Sequence, residues 1–229
     1  MRITPSNILR YVGGRFINAA DSLAGIHQFG KGTWEEYIKS DPCEVRKANY
    51  PLDEHSIVVD VGAYKGEWAA MIFACHSCFV DMYEPQPELA SGLRKKFRFN
   101  KKMRVNEVAL SNCYGTSPFY DYEQQGSLYY SGNGEIRYVT TAASAEAFKE
   151  KYPDGIDLLK VNAEGAEYAI LRDLFIGYEM KKIKNILVAF HSNVPGYIEK
   201  RNIVRRALMQ THKMVWGAED IFESWERLP

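Results

Sequence analysis

A short β-branched run that ends on an acid and drops into a glycine turn constrains this chain more tightly than any other feature. Val58-Val59-Asp60-Val61 runs into Gly62-Ala63-Tyr64-Lys65-Gly66, and a second apolar run, Phe79 to Tyr83, ends on Glu84 and Pro85. Strand, turn, helix and a second strand closed by an acid form the opening unit of a nucleoside-binding α/β sheet. The turn lets backbone approach a ligand, and the second acid accepts hydrogen bonds from ribose hydroxyls. Glu84 follows Asp60 by 24 positions, close to the interval expected for that acid. The turn lacks G-x-G-x-x-G, whose extra glycines admit a pyrophosphate against a helix N-terminus. A nucleoside without phosphates, such as S-adenosylmethionine, suits this spacing better. The alternative is an α/β protein with an ordinary glycine turn here.

From Ile57 onward the pattern alternates. Helices are expected over Glu67 to Cys75, Pro87 to Asn100, Ser144 to Tyr152, Gly165 to Leu174 and Ile198 to Gln210. Strands are expected over Ile57 to Val61, Phe79 to Tyr83, Arg104 to Leu110, Pro118 to Tyr122, Ile156 to Val161 and Ile183 to Phe190. Lys213 to Trp216 and Ile221 to Trp225 read as a closing pair, and the glycine-rich stretch Glu123 to Glu135 as a mobile loop. Short links between β and α elements imply a mostly parallel sheet with helices on both faces. The closing pair implies one antiparallel edge strand. Residues 1–50, with a helical turn at Trp34 to Ile38, read as a helical N-terminal extension packed on the domain of residues 51–229.

Charge excludes some partners. Lys plus Arg and Asp plus Glu both number 29, so no long-range field favours nucleic acid or anionic lipid. The basic run Arg94 to Lys102 reads as a solvated helix face. The longest uncharged stretch, Trp68 to Val80, is too short to span a bilayer, and no secretory signal is visible, so a soluble, cytoplasmic protein is expected. Among Cys43, Cys75, Cys78 and Cys113, the C-x-x-C at Cys75 and Cys78 lacks a second half-site. No metal is expected.

In an open parallel sheet, ligands bind at the carboxyl ends of the strands. Those ends carry Asp60 and Gly62, then Glu84, then Glu107 with Ala109, then Asn162 with Glu164, and finally His191. Asp60 suits the ammonium of a methionine moiety, or a cap on the turn amides. Glu84 suits the ribose. Ala63, Tyr64, Gly66 and Pro85 are expected to line the same site, with Ser127 reaching it from the loop. Lys160, inside an apolar strand, needs a partner, and an ion pair is the plain expectation. Phe119, Tyr120, Tyr122, Tyr129 and Tyr130 cluster in and before the loop, where aromatic faces suit a sugar ring.

The segment Asp157-Leu158-Leu159-Lys160-Val161-Asn162-Ala163-Glu164-Gly165-Ala166-Glu167 resembles the FkbM family of methyltransferases. The resemblance extends to Asp60–Ala63, to Tyr83–Pro87, to Glu107–Ser111, to Val188–His191 and to the closing residues around Trp225, covering roughly residues 55–229. It implies a Rossmann-like class I fold with a seven-stranded sheet. It also implies S-adenosyl-L-methionine as cofactor and methyl transfer to a hydroxyl oxygen, with a carbohydrate, glycan or related small molecule as acceptor. Asn162 stands where many members have Asp, which weakens any expectation of a metal or an Asp base there.

Methyl transfer needs an oxygen held against the sulfonium methyl and a place for its proton. His191, with an ordinary pKa near neutrality, is the expected base. Glu164 is expected to hold the acceptor hydroxyl or orient His191, Asn162 to assist, and Glu167 to cap the helix or bind substrate. The rival readings are an NAD-dependent oxidoreductase and a non-catalytic Rossmann-like interaction module. Oligomeric state is left open.

Overall fold

The computed structural model describes residues 45–122, 125–128, 135–192, 194–218 and 222–229. The helical turn at Trp34 to Ile38, Cys43, Tyr129 and Tyr130 lie outside them.

β1 (Ile57–Val61) shows why consecutive β-branched residues were needed. Val58 and Val59 point to opposite faces, and both are fully buried, so both faces of the sheet are covered. The further elements are α1 (Glu67–His76), β2 (Phe79–Tyr83), α2 (Pro87–Lys96), β3 (Met103–Asn106), β4 (Ala109–Ser111), β5 (Gly115–Tyr122), β6 (Gln125–Ser127) and β7 (Glu135–Ala143). They continue with α3 (Ser144–Lys151), β8 (Ile156–Val161), α4 (Glu167–Ile176), β9 (Ile183–Val188), α5 (Tyr197–Leu208), β10 (His212–Ala218) and β11 (Phe222–Arg227).

Seven strands form the main sheet in the order β10-β11-β9-β8-β1-β2-β3. β1 lies parallel between β2 and β8, and β3 and β9 continue the parallel run outward. The one antiparallel strand is β11, which sits second from the edge between β9 and β10. The chain builds one wing from β1 and returns to build the other from β8. The strand order therefore reverses between β1 and β8, where such sheets open a crevice.

Two cores follow from the alternation. One face joins Val59, Leu159, Ile186 and Trp225 to α3, α4 and α5. The other joins Val58, Leu158 and Leu187 to α1, to Leu93 of α2 and to Ala48 and Tyr50. The described end of the N-terminal segment is thus part of the core. Tyr50 meets Ser224 of β11 at 3.0 Å, and the indole of Trp68 donates to the Lys47 carbonyl at 3.0 Å.

The stretch read as one strand, Arg104 to Leu110, divides in two. β3 stays in the main sheet, while β4 leaves it and pairs parallel with β7. A second sheet, in the order β4-β7-β5-β6, results. β7 was not anticipated, and β6 lies within the stretch read as a loop. Phe119, Val139 and Ala109 form its small core, with Leu128 packed against them.

Candidate active site

The carboxyl ends of β1, β2 and β8, the segment entering β4, and the inner face of the second sheet enclose a cleft of about 220 Å³. Gly62, Tyr64, Glu84, Pro85, Ala109, Asn162 and Glu164 line it, as does Ala163. Its apolar wall is Val108, Leu110, Phe119 and Leu128, with the Tyr83 ring. Tyr83 is fixed from behind. Its hydroxyl meets that of Tyr152 at 3.2 Å, and Tyr152 donates to the buried Asp81 at 2.7 Å. Burial raises the Tyr83 pKa to about 12, so the ring stays neutral.

Glu84 is nearly fully buried and joins two turns. Oε2 accepts the Tyr64 N–H at 2.9 Å, and Oε1 accepts the Gln86 N–H at 3.0 Å. A carboxylate has about four acceptor sites, so two remain for hydroxyls in the cleft. Burial pushes its pKa up to about 7, against the pull of the two backbone N–H groups.

Gly62 lines the cleft with its backbone. Its φ is +75°, and a Cβ there would lie 1.9 Å from the Asn162 carbonyl oxygen. The glycine lets β1 and β8 leave the sheet in contact; the space a side chain would fill belongs to backbone, not to a ligand. Gly66 is turned away from the cleft, and a Cβ there would meet Leu93 of α2 at 2.6 Å. Its role is helix packing.

Asp60 and Ala63 lie behind the cleft wall. Lys160 Nζ sits 2.8 Å from Asp60 Oδ1 and donates to the Gly62 carbonyl at 2.9 Å. The ammonium is close to Asp60 but off the hydrogen-bond direction, so neither carboxylate oxygen has an aligned donor among the described residues. That leaves a buried acid with acceptor capacity one strand-end from the cleft. Lys160 is the ion-pair partner expected of it. Glu107 turns outward to Arg94 at 2.7 Å, and Ser127 spends its hydroxyl on the Glu164 carbonyl at 2.6 Å; neither lines the cleft. Of the aromatic cluster, Phe119 lines the cleft.

His191 sits between two carboxylates. Its Nε2 lies 3.2 Å from Glu164 Oε1 and its Nδ1 lies 3.2 Å from Glu167 Oε1. Burial would lower its pKa, but the two carboxylates outweigh burial and raise it to about 10. The two carboxylates thus favour the protonated ring. Glu167 is fully buried and also accepts the N–H groups of His191 and Gly165, both at 2.8 Å. Sequence reasoning offered Glu167 as a helix cap or a substrate ligand and did not find its contact with His191. The signal was there: Glu164 and Glu167 are three apart at one strand end, and His191 closes the next. Among the described residues, no three His, Cys, Asp or Glu side chains converge to hold a metal ion.

The model of the Methyltransferase FkbM domain matches residues 60–202. Two solved structures share the fold. One, described provisionally as an rRNA-methylase from Clostridium thermocellum, superposes with a TM-score of 0.50 at 9% identity, over 85% of this chain and 93% of that one. The other, SMU.1697c from Streptococcus mutans, described provisionally as a methyltransferase and solved in complex with SAH, gives 0.50 at 10% identity, over 82% and 98%. No curated protein matched.

Proposed function

Because the chain belongs to the FkbM methyltransferase domain family, we propose that it moves the methyl group of S-adenosylmethionine onto a hydroxyl oxygen of a carbohydrate or related small molecule. The observation that carries this reading is Glu84, a buried carboxylate clamped by two backbone N–H groups with acceptor capacity left facing the cleft. It takes the ribose hydroxyls. The apolar wall of Val108, Leu110, Phe119 and Leu128 suits the flat adenine, while Asp60 lies behind the wall beside Lys160 and acts on the site through the β1 strand end. The cofactor, when bound, supplies an electrophilic methyl on a sulfonium. The chain's own task is to hold the acceptor oxygen in line with it and remove water.

Charge argues for a small neutral acceptor over RNA. Phosphate recognition needs an excess of Lys and Arg, whereas the total is balanced and two acids, Glu84 and Glu164, line the cleft. Among the described residues no helix is long and apolar enough to cross a membrane. A site of action in the cytoplasm, where the cofactor is made, fits this reading.

The test is calorimetry and thermal melting with S-adenosylhomocysteine beside NAD, then transfer of labelled methyl to a panel of glycosides beside tRNA. At about 100-fold over its dissociation constant, S-adenosylhomocysteine should add about 2.7 kcal/mol of stability, and NAD none. Stabilisation by NAD alone, or methylation of tRNA alone, overturns the reading.

A further inference from the structure

We infer that Glu164, not His191, receives the acceptor's proton, and that His191 acts as a positioning residue held between Glu164 and the buried Glu167. The inference rests on the hydroxyl-methylation reading above and assigns the proton a destination within it.

Geometry carries it. Each ring nitrogen of His191 faces a carboxylate oxygen at 3.2 Å. An ionised carboxylate only accepts, so both nitrogens carry protons and the ring has no lone pair to offer. Tyr168 donates its hydroxyl to the His191 backbone carbonyl at 2.8 Å, which fixes the strand end that carries the ring. Glu167 cannot serve as base, since it is fully buried and its oxygens hold two backbone N–H groups. Glu164 is different. It lines the cleft, its side chain is 22% exposed, and His191 engages only Oε1.

The backbone supports the same assignment. Glu164 has φ +47°, a left-handed conformation that is strained for a non-glycine residue and persists where the surroundings impose it. Here Ser127 holds its carbonyl and His191 its carboxylate, and the residue so held lines the cleft. In the transfer, the acceptor oxygen bonds to the methyl carbon. The carbon–sulfur bond breaks with its electron pair staying on sulfur, and the hydroxyl proton passes to Glu164 and on to solvent.

The test begins with the wild-type chain. Nitrogen-15 histidine spectra should show both His191 nitrogens protonated from pH 6 to 9. Glu167→Gln should bring His191 back toward ordinary titration with S-adenosylhomocysteine affinity unchanged. A purely structural Glu167 would lower stability and leave the ring's spectrum as it was. Glu164→Gln should keep cofactor affinity and lower turnover of a glycoside acceptor by about 10²–10⁴. A neutral His191 at pH 7.5, or Glu164→Gln turning over within a few-fold of wild type, overturns the inference. Absence of S-adenosylhomocysteine binding to the wild type would instead sink the methyltransferase reading itself.

Discussion

Replacing Glu84 with alanine removes a carboxylate that makes two kinds of bond. Two backbone N–H groups, of Tyr64 and Gln86, lose their acceptor, and the ribose loses both of its own. A hydrogen bond to a charged group contributes about 1.5–3 kcal/mol, so the two ribose bonds together set about 3 kcal/mol as a floor, or roughly a hundredfold in affinity. Protonation opposes part of this. With its pKa raised to about 7 by burial, half of the free protein at neutral pH holds a neutral Glu84 that must lose its proton to accept from both hydroxyls. The sign follows from linkage: the ligand binds the ionised form, so affinity falls as pH drops. For a pKa near 7 the fall from pH 8 to pH 6 is about tenfold. The assay is calorimetry with S-adenosylhomocysteine at several pH values, for wild type, Glu84→Ala and Glu84→Gln. The ligand's own titration cancels in the ratio of wild type to variant. A wild-type to variant ratio that stays flat between pH 6 and 8, or a folded Glu84→Ala with unchanged affinity, would refute the assignment of Glu84 to the ribose.

Gly62→Ala should destabilise the fold itself, because its Cβ meets the Asn162 carbonyl at 1.9 Å in a left-handed backbone; the conformation alone costs about 1–2 kcal/mol, and thermal melting without ligand should show it. Lys160→Met should cost about 3–5 kcal/mol by leaving the buried Asp60 uncompensated, measured by urea unfolding, and a stability equal to wild type would mean the pair is dispensable. His191, with its pKa raised from 6.5 to about 10, contributes stability that is full below pH 6.5 and is lost as pH rises through 10. The melting temperature should therefore fall over that window in wild type more than in His191→Gln.

The main sheet was legible because its strands are buried on both faces. Val58-Val59 and Leu158-Leu159 are apolar at consecutive positions, a pattern that survives without knowledge of partners. The second sheet was legible only in part, through Pro118 to Tyr122, and its β7 was missed. On β7 the apolar Ile136 and Tyr138 are exposed, while Val139 and Thr141 face inward, so the hydrophobic pattern points to the wrong face. β5 begins at Gly115, three residues ahead of the strand expected over Pro118 to Tyr122. The cost fell on the site, since Phe119 and Leu128 reach the cleft only through that sheet. Strand-end acids were found because their position is fixed by strand length. Their pairings were not, because a pairing depends on register: Asp60 lies beside Lys160 on the neighbouring strand.

The two halves of the site use opposite electrostatics, and this separates binding from chemistry in pH. In the cofactor half, Glu84 is poised near neutrality because burial works against two hydrogen bonds. In the acceptor half, His191 is locked because two carboxylates overcome burial. The profile of kcat/KM reports groups in the free enzyme and that of kcat reports the loaded enzyme. For the cofactor, kcat/KM should therefore rise through about pH 7 as Glu84 ionises. Once the cofactor is bound, Glu84 is held ionised and His191 does not titrate, so kcat should be level from pH 6 to 9. A free histidine base would reverse this, giving kcat an inflection near its ordinary pKa. Such an inflection in wild type, lost in His191→Gln, would return the proton to the imidazole and leave Glu164 as its orienting partner.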